Sequence, residues 1–163
     1  MKVKSVDEQV TPSELDEDML RSLFAMQASL NDYVFQKNGI TDAEGNPLTM
    51  QTILKLSEAG RLAVNDPPNQ WLARYSKAMG EELGELDREL LWKWWSKDKI
   101  DIQNIRVELI DILHFLISAM ICAGLSADKV FDIYKQKHAV NRARQDTVYS
   151  KATKTEDDNR AIE

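Results

Sequence analysis

Apolar residues recur along most of the chain at the three- and four-residue spacing of amphipathic helices, and the alternation typical of strands is nearly absent. Proline and glycine stand mainly between these periodic segments. The pattern therefore predicts an all-α fold. Ser13 is the predicted N-cap of the first helix, Gly124 ends the fourth and Ser126 caps the fifth. The predicted helices are 13–37, a short one at 49–62, 69–95, 101–123 and 127–146.

The two ends of the chain lack this periodicity, and we expect residues 1–12 and 151–163 to be flexible polar tails around one all-α domain at 13–150. The N-terminal segment shows no apolar stretch typical of a signal peptide. The longest apolar run, 110–125, is interrupted by polar residues and suits a core helix rather than a membrane span. We therefore expect a cytoplasmic protein with no membrane partner.

Composition narrows the chemistry that such a domain can perform. The 163 residues include 27 acidic and 21 basic side chains, and the net charge of −6 argues against a nucleic-acid partner, which needs a basic face. One cysteine and two histidines exclude a disulfide framework and a metal site rich in Cys or His. Carboxylates must therefore hold any metal, which indicates a hard cation such as Mg²⁺ or Mn²⁺.

The helix at 101–123 is apolar all the way round, so the pattern predicts that it is buried on every side. Nevertheless, Glu108 and Asp111 lie three residues apart in its first half, and His114 follows three residues later. A lone ionised carboxylate in a core is so unfavourable that it must be neutralised, ion-paired or bound to a cation. The presence of these two acids therefore predicts that a proton, a basic side chain or a cation neutralises their charge.

The helix at 69–95 contains a second pair of acids with the same spacing. Glu82 lies inside its apolar stripe and Glu85 at the edge of that stripe, while Glu89 is a competing candidate. If the two pairs face each other, four negative charges share a small space, and divalent cations would stabilise that arrangement. The alternative is a helical interaction module in which the inward acids are ion-paired with Arg74, Lys93 or Arg106.

The first helix carries polar side chains in its apolar stripe as well. Gln27 and Asn31 lie one turn apart at the centre of that stripe, whose apolar members are Leu20, Leu23, Phe24, Leu30 and Val34. Amides offer both donors and acceptors, which suits recognition of a nucleobase edge. Hydrogen bonding of the two amides to each other or to a helix end explains the pattern equally well.

The last helix ends with basic and amide side chains on one face. Lys137, Asn141 and Arg144 share that face by their three- and four-residue spacing, which suits an anionic ligand such as phosphate. A solvated basic helix end, stabilised by the helix dipole, is the alternative interpretation.

Four segments occur in an informative order: Gln27 with Leu30-Asn31-Asp32, then Glu82-Leu-Gly-Glu85 with Trp92-Lys-Trp-Trp95, then Glu108-Leu-Ile-Asp111-Ile-Leu-His114-Phe115, and finally 137–146. Over residues 20–150 the chain resembles the dimeric all-α dUTPase family, part of a wider group of all-α nucleoside triphosphate pyrophosphatases. The resemblance implies a helical bundle with a four-helix metal-binding core, a homodimer, and a catalytic role for residues 13–150.

The resemblance also implies an activity and a set of site residues. The activity is Mg²⁺-dependent hydrolysis of dUTP to dUMP and pyrophosphate, and Mn²⁺ is a possible substitute for the metal. The implied metal ligands are Glu82, Glu85, Glu108 and Asp111. We expect Glu82 or Glu85 to activate the attacking water as the catalytic residue. The implied substrate contacts are Gln27 and Asn31 at uracil and deoxyribose, His114 in support of the base pocket, and Lys137, Asn141 and Arg144 at the phosphates.

Two other functions fit the same sequence. The segment 33–39 departs from the Thr-Asn-Gly that usually follows Leu-Asn-Asp in the family. A related pyrophosphatase that acts on dCTP or another nucleoside triphosphate is therefore the first alternative. The second alternative is the non-enzymatic interaction module with ion-paired acids. Stabilisation by Mg²⁺ is expected for the dUTPase and for the related pyrophosphatase, and is not expected for the interaction module.

Overall fold

The computed structural model describes residues 18–146 and 162. Within these residues there are helices and turns but no β-strand, and one isolated bridge, Thr41 to Pro47, closes the loop after the first helix. The predicted all-α fold is confirmed. The two predicted tails lie outside the described residues apart from Ile162. The helices are α1 (Met19–Lys37), α2 (Met50–Glu58), α3 (Pro67–Glu89), α4 (Ile102–Cys122) and α5 (Ala127–Asp146).

Helix α1 begins later than the sequence pattern predicts. Asp18, rather than Ser13, is its N-cap, with an extended backbone and a carboxylate that accepts a hydrogen bond from Arg21 N at 3.0 Å. Aspartate is a favourable N-cap because its side chain satisfies an amide that the helix leaves unpaired. The prediction of a helix from residue 13 was therefore wrong at its N-terminal end.

Helix α3 ends earlier than predicted, at Glu89, because the backbone of Leu90 is extended. Trp92, Trp94 and Trp95 consequently lie in the connection to α4, where their rings meet edge to face with centroids 5.6 to 6.2 Å apart. Aromatic side chains lose rotamer freedom in a helix, so a run of them favours such a break.

The other helix ends agree more closely with the sequence. Thr49 caps α2 through a 3.1 Å bond from Thr52 N, and Ser126 accepts a 3.3 Å bond from Lys129 N at the start of α5. Gly124, with a φ of +78°, follows the end of α4. Glycine adopts this left-handed conformation without the steric penalty of a Cβ.

The chain divides into two compact units after Gly124. In the first unit α1, α2, α3 and α4 pack on one another, and the contact between α3 and α4 is the most extensive. Helix α5 belongs to the second unit. The four-helix metal core, the domain limits of 13 and 150 and the homodimer stay predictions.

A row of aromatic rings connects three helices of the first unit. The ring centroids of Phe35 and Trp71 are 4.5 Å apart, those of Trp71 and Tyr75 are 5.7 Å apart, and those of Tyr75 and Phe115 are 6.4 Å apart. Aromatic pairs at such distances add to the stability that their buried area provides. This row holds α1 and α4 on α3, and thereby positions the polar residues described below.

Helix α4 is not buried on every side, contrary to the sequence-based expectation. Val107, Leu109 and Ile110 are 46%, 50% and 52% exposed, because the other helices of the first unit cover only one face of its N-terminal half. Leu23, Leu30 and Val34 of the predicted α1 stripe are exposed in the same way. Among the described residues no single helix is long and apolar enough to cross a membrane; α4 and α5 meet that criterion only when taken together.

Candidate functional site

Three carboxylates converge where α3 packs against α4. Glu82 on α3 and Glu108 and Asp111 on α4 each contribute an oxygen atom, and these three atoms lie within 4.8 Å of one another. The three-residue spacing on α4 puts its two acids on one face of the helix. Glu108 is buried, and the other two side chains are half-buried. We call Glu82, Glu108 and Asp111 the acidic cluster.

No described cation forms an ion pair with the acidic cluster. Asn104 Nδ2 donates a 3.3 Å hydrogen bond to Glu108 Oε1, but an amide brings no charge. The Arg74 guanidinium lies over the Trp71 ring, 4.5 Å from its centroid, and Lys93 Nζ lies 5.4 Å from the Trp92 centroid. Among residues 18–146, neither Arg74, Lys93 nor Arg106 forms an ion pair with Glu82, Glu108 or Asp111.

Glu85, the fourth predicted ligand, lies outside the acidic cluster. Its side chain is exposed and forms a 3.5 Å ion pair with Arg88, one turn further along α3. Glu89, the competing candidate, also lies outside the close group. The predicted roles of Glu85 in metal binding and catalysis remain predictions, whereas the other three predicted ligands lie together.

The electrostatics of the acidic cluster favour a bound cation. Burial raises the pKa of Glu82 above its ordinary value, and the negative charges of Glu85, Asp111 and Glu108 raise it further. A divalent cation reverses this effect because it stabilises the ionised form of every neighbouring carboxylate. The donor atoms are all carboxylate oxygens, the set that Mg²⁺ and Mn²⁺ prefer. The acidic cluster therefore fits the predicted metal.

The raised pKa of Glu82 predicts how the metal-free protein responds to pH. Protonated Glu82 stabilises the fold below the ordinary glutamate pKa of 4.5, and this stabilisation is lost as the pH rises through the higher folded-state pKa. In EDTA we therefore expect the free energy of unfolding to decline more with rising pH for the natural protein than for Glu82→Gln. Urea unfolding at several pH values measures this. The exposed neighbour Glu81, changed to Gln, is the control, and parallel curves for the natural protein and Glu82→Gln would contradict the prediction.

The two predicted amides on α1 are buried and hydrogen-bonded to each other and to α4. Gln27 Nε2 donates to Asn31 Oδ1 at 3.1 Å and to Ser118 Oγ at 3.0 Å, and Asn31 Nδ2 donates to the same Ser118 Oγ at 2.9 Å. The alternative in which the two amides hydrogen-bond to each other is therefore observed, and Ser118 is a further partner of both. Their contact with a base stays a prediction.

His114 completes this network from α4. Its Nδ1 lies 2.5 Å from Gln27 Oε1, and Ser118 Oγ donates a 2.9 Å bond to the His114 carbonyl oxygen. His114 lies outside the acidic cluster, and its predicted role in support of the base pocket stays a prediction. Sequence reasoning did not identify Ser118 as a site residue. The available signal was a small polar residue one turn after His114 inside an apolar run.

The three predicted phosphate ligands lie on α5, in the second unit. Asn141 and Arg144 both line a shallow pocket near the end of this helix, together with His138, Arg142 and Gln145. Lys137 is half-buried one turn before Asn141. This unit therefore presents a basic and amide-rich surface, and its approach to a phosphate bound at the acidic cluster stays a prediction.

Comparison with known proteins adds independent information. Within curated proteins, the chain is 34% identical over 88 residues to a dCTP pyrophosphatase of Enterobacteria phage LZ5, which covers 46% of this chain and 51% of that protein. It is 31% identical over 80 residues to the dCTP pyrophosphatase of Enterobacteria phage T4, covering 49% and 40%. A DNA replication protein of phage T4 is 31% identical over 74 residues, which are 44% of this chain and 16% of that protein. The chain thus spans about half or less of the length of these relatives.

No solved structure matches the chain significantly.

A family of proteins matches a longer part of the chain than these relatives do. The family described as dUTPase matches residues 19–129, from the first residue of α1 into the first turn of α5. The match includes the acidic cluster and the Gln27–Asn31–His114 network but ends before Lys137. Because it covers well over half of the sequence, the protein belongs to the all-α dimeric dUTPase family.

Proposed function

We propose that this protein is a divalent-metal-dependent nucleoside triphosphate pyrophosphohydrolase that converts dUTP to dUMP and pyrophosphate. The observation that carries the proposal is the acidic cluster, three carboxylates with oxygen atoms within 4.8 Å of one another. Membership of the dUTPase family and the similarity to phage dCTP pyrophosphatases support the same class of reaction. In a cell this reaction removes dUTP and supplies a precursor of dTMP; we propose that it takes place in the cytoplasm.

In the proposed mechanism the acidic cluster would hold Mg²⁺, and Glu85, on the next turn of α3, would be a further ligand. When bound there, the metal would supply positive charge to the triphosphate oxygens and to the pyrophosphate that leaves. Glu82 or Glu85 orients the attacking water and accepts its proton. Water attacks the α-phosphorus, a new P–O bond forms, and the bond from that phosphorus to the bridging oxygen breaks.

The second unit supplies cations in this mechanism. Lys137 and Arg144 place positive charge, and Asn141 an amide, on one face of α5, and we propose that this face binds the phosphates of the substrate. Arginine suits this role because its planar guanidinium binds two phosphate oxygens at once.

The identity of the base is the finer part of the proposal. We propose dUTP because of the family; dCTP is the second candidate because the two phage pyrophosphatases described above carry that name. Pyrophosphate release from dUTP, dCTP and dTTP, with Mg²⁺ and with EDTA, tests both. We expect the largest kcat/KM for dUTP and no release in EDTA. A preference for dCTP would replace the substrate within the same class of enzyme, and no release from any nucleotide would reject the enzyme.

Changing Gln27 to Ala is expected to raise KM by about tenfold or more, following the 1–3 kcal/mol typical of a buried hydrogen-bonding group. The change removes the side chain that joins Asn31, Ser118 and His114. We also expect a weaker preference among dUTP, dCTP and dTTP, measured as the ratio of kcat/KM values. Gln36→Ala, at an exposed position of the same helix, is the control. An unchanged preference in Gln27→Ala would argue against a role in base recognition.

We also propose a homodimer and no nucleic-acid partner. On the described part of the chain, several apolar side chains of α1 and α4 are exposed, at 40–69% of their surface: Leu23, Met26, Leu30, Val34, Val107, Leu109 and Ile110. Exposed apolar side chains that lie together form the kind of surface on which a second copy of the chain packs, and this supports the proposed dimer. Light scattering would then give twice the chain mass of 18.7 kDa. The net charge of −6 disfavours binding to nucleic acid.

A further inference from the structure

Ser118 is the centre of the buried polar network between α1 and α4. Its side chain is fully buried, at 0% exposure. Its Oγ lies 2.9 Å from the His114 carbonyl oxygen, 3.0 Å from Gln27 Nε2 and 2.9 Å from Asn31 Nδ2. A serine hydroxyl has one proton to donate and two lone pairs that accept. These three contacts use all of that capacity.

The direction of each hydrogen bond follows from the His114 carbonyl, which can only accept. The Ser118 proton must point to this carbonyl, so Ser118 Oγ has to accept from both amides. Asn31 therefore turns its NH₂ group to Ser118 and its oxygen to Gln27. Gln27 in turn directs its NH₂ group to Asn31 and Ser118, and its oxygen to His114. Rotating both amides would put two carbonyl oxygens against a hydroxyl with a single proton.

These hydrogen-bond directions determine which ring nitrogen of His114 carries the proton. Because Gln27 Oε1 is an acceptor, His114 Nδ1 must carry a proton and donate it. The neutral ring then has a lone pair on Nε2, and no described residue forms a hydrogen bond with that nitrogen. His114 is exposed as a residue, and Nε2 is the ring nitrogen that the network leaves unbonded. The outward face of the ring is therefore an acceptor.

We propose that Ser118 is a positioning residue that sets the tautomer of His114, so that His114 Nε2 accepts a hydrogen bond from an N–H group of the nucleobase. The contact to the base rests on the proposed function, whereas the tautomer does not. Uracil offers its N3–H and cytosine its 4-amino group, so the inference applies to either pyrimidine. Ser118 acts on the base only through Gln27, Asn31 and His114.

The tautomer can be observed directly by long-range ¹⁵N–¹H NMR of the histidine side chains, above the pH at which histidine is charged. The chain has two histidines, so a His138→Gln background isolates the signals of His114. We expect the Nδ1–H form in this background. Adding Ser118→Ala lets both amides rotate, and we expect a shift towards the Nε2–H form. Adding Ser57→Ala, at a buried serine on α2 outside the network, should leave the Nδ1–H form unchanged.

Kinetics with the preferred nucleotide supply the second measurement. Ser118→Ala in the otherwise natural protein is expected to raise KM about tenfold with a smaller change in kcat, because the acidic cluster is untouched. Ser57→Ala should retain the natural KM. If Ser118→Ala does not fold, Ser118→Cys keeps the side-chain size and replaces the hydroxyl with a weak donor and acceptor, and the same changes are expected.

Three results would overturn the inference: an Nε2–H form of His114 in the His138→Gln background, an unchanged tautomer after removal of the Ser118 hydroxyl, or an unchanged KM despite a changed tautomer. If the natural protein hydrolyses no nucleotide, the proposed function fails and the base contact fails with it. The tautomer measurement still decides in that case whether Ser118 positions His114.

Discussion

Glu108→Gln is expected to reduce kcat for pyrophosphate release by roughly 10²- to 10³-fold, the range typical of removing one electrostatic stabiliser of a transition state. Glu108 is the most buried member of the acidic cluster, at 8% exposure, and the change removes a charged metal ligand at nearly constant volume. Asp111→Asn should have an effect of the same order. Phosphate-coupled detection of pyrophosphate under saturating Mg²⁺ measures the loss.

These variants should remain folded, because each change removes a negative charge from a cluster that no described cation balances. In EDTA their melting temperatures are expected to equal or exceed that of the natural protein. Glu81→Gln is the control, since Glu81 lies next to Glu82 but is exposed. Full turnover by Glu108→Gln and Asp111→Asn would refute the metal site.

Saturating Mg²⁺ is expected to raise the melting temperature of the natural protein by about 5–10 °C. A ligand at 100 times its Kd stabilises the folded state by about 2.7 kcal/mol, and in a protein of this size each kcal/mol corresponds to about 2–4 °C. The physical reason is that the cation binds the acidic cluster in the folded state, where three oxygens lie within 4.8 Å, and has no such site in the unfolded chain. Differential scanning calorimetry measures the shift.

Glu108→Gln should lose most of this shift, whereas Glu81→Gln should retain it. NaCl at matched ionic strength separates specific binding from general screening of the charges. An interaction module whose acids are paired with arginine or lysine would show no specific shift. Equal stabilisation by Mg²⁺ and by NaCl would therefore favour that alternative over the enzyme.

The helical period predicted which residues point inwards, but it did not predict how much of each helix its neighbours cover. Glu82, Glu108, Gln27 and Asn31 were recognised as polar residues on apolar faces, and the structure buries or half-buries each of them. The exposed side of α4, seen at Ile110, was missed because an apolar sequence looks the same whether the chain itself or another molecule covers it.

Some helix ends were likewise predicted correctly from the sequence, and others were not. Gly124 and Ser126 were recognised because a left-handed glycine and a capping hydroxyl act on the adjacent backbone. The start of α1 was placed wrongly because Ser13 and Asp18 are both suitable caps, and the two are not distinguished by local preference. The end of α3 was extended too far because three tryptophans continue an apolar pattern after the backbone has left the helix.

Local pattern alone was enough to identify an all-α protein with inward acids and inward amides, because helical periodicity depends on residues three and four positions apart. It could not supply the contacts between helices. Gln27 and Asn31 meet Ser118 across 91 and 87 residues of chain, and Glu85 turns to Arg88 rather than into the acidic cluster. Such choices depend on the distances and directions of hydrogen bonds between side chains, which exist only after the helices have packed.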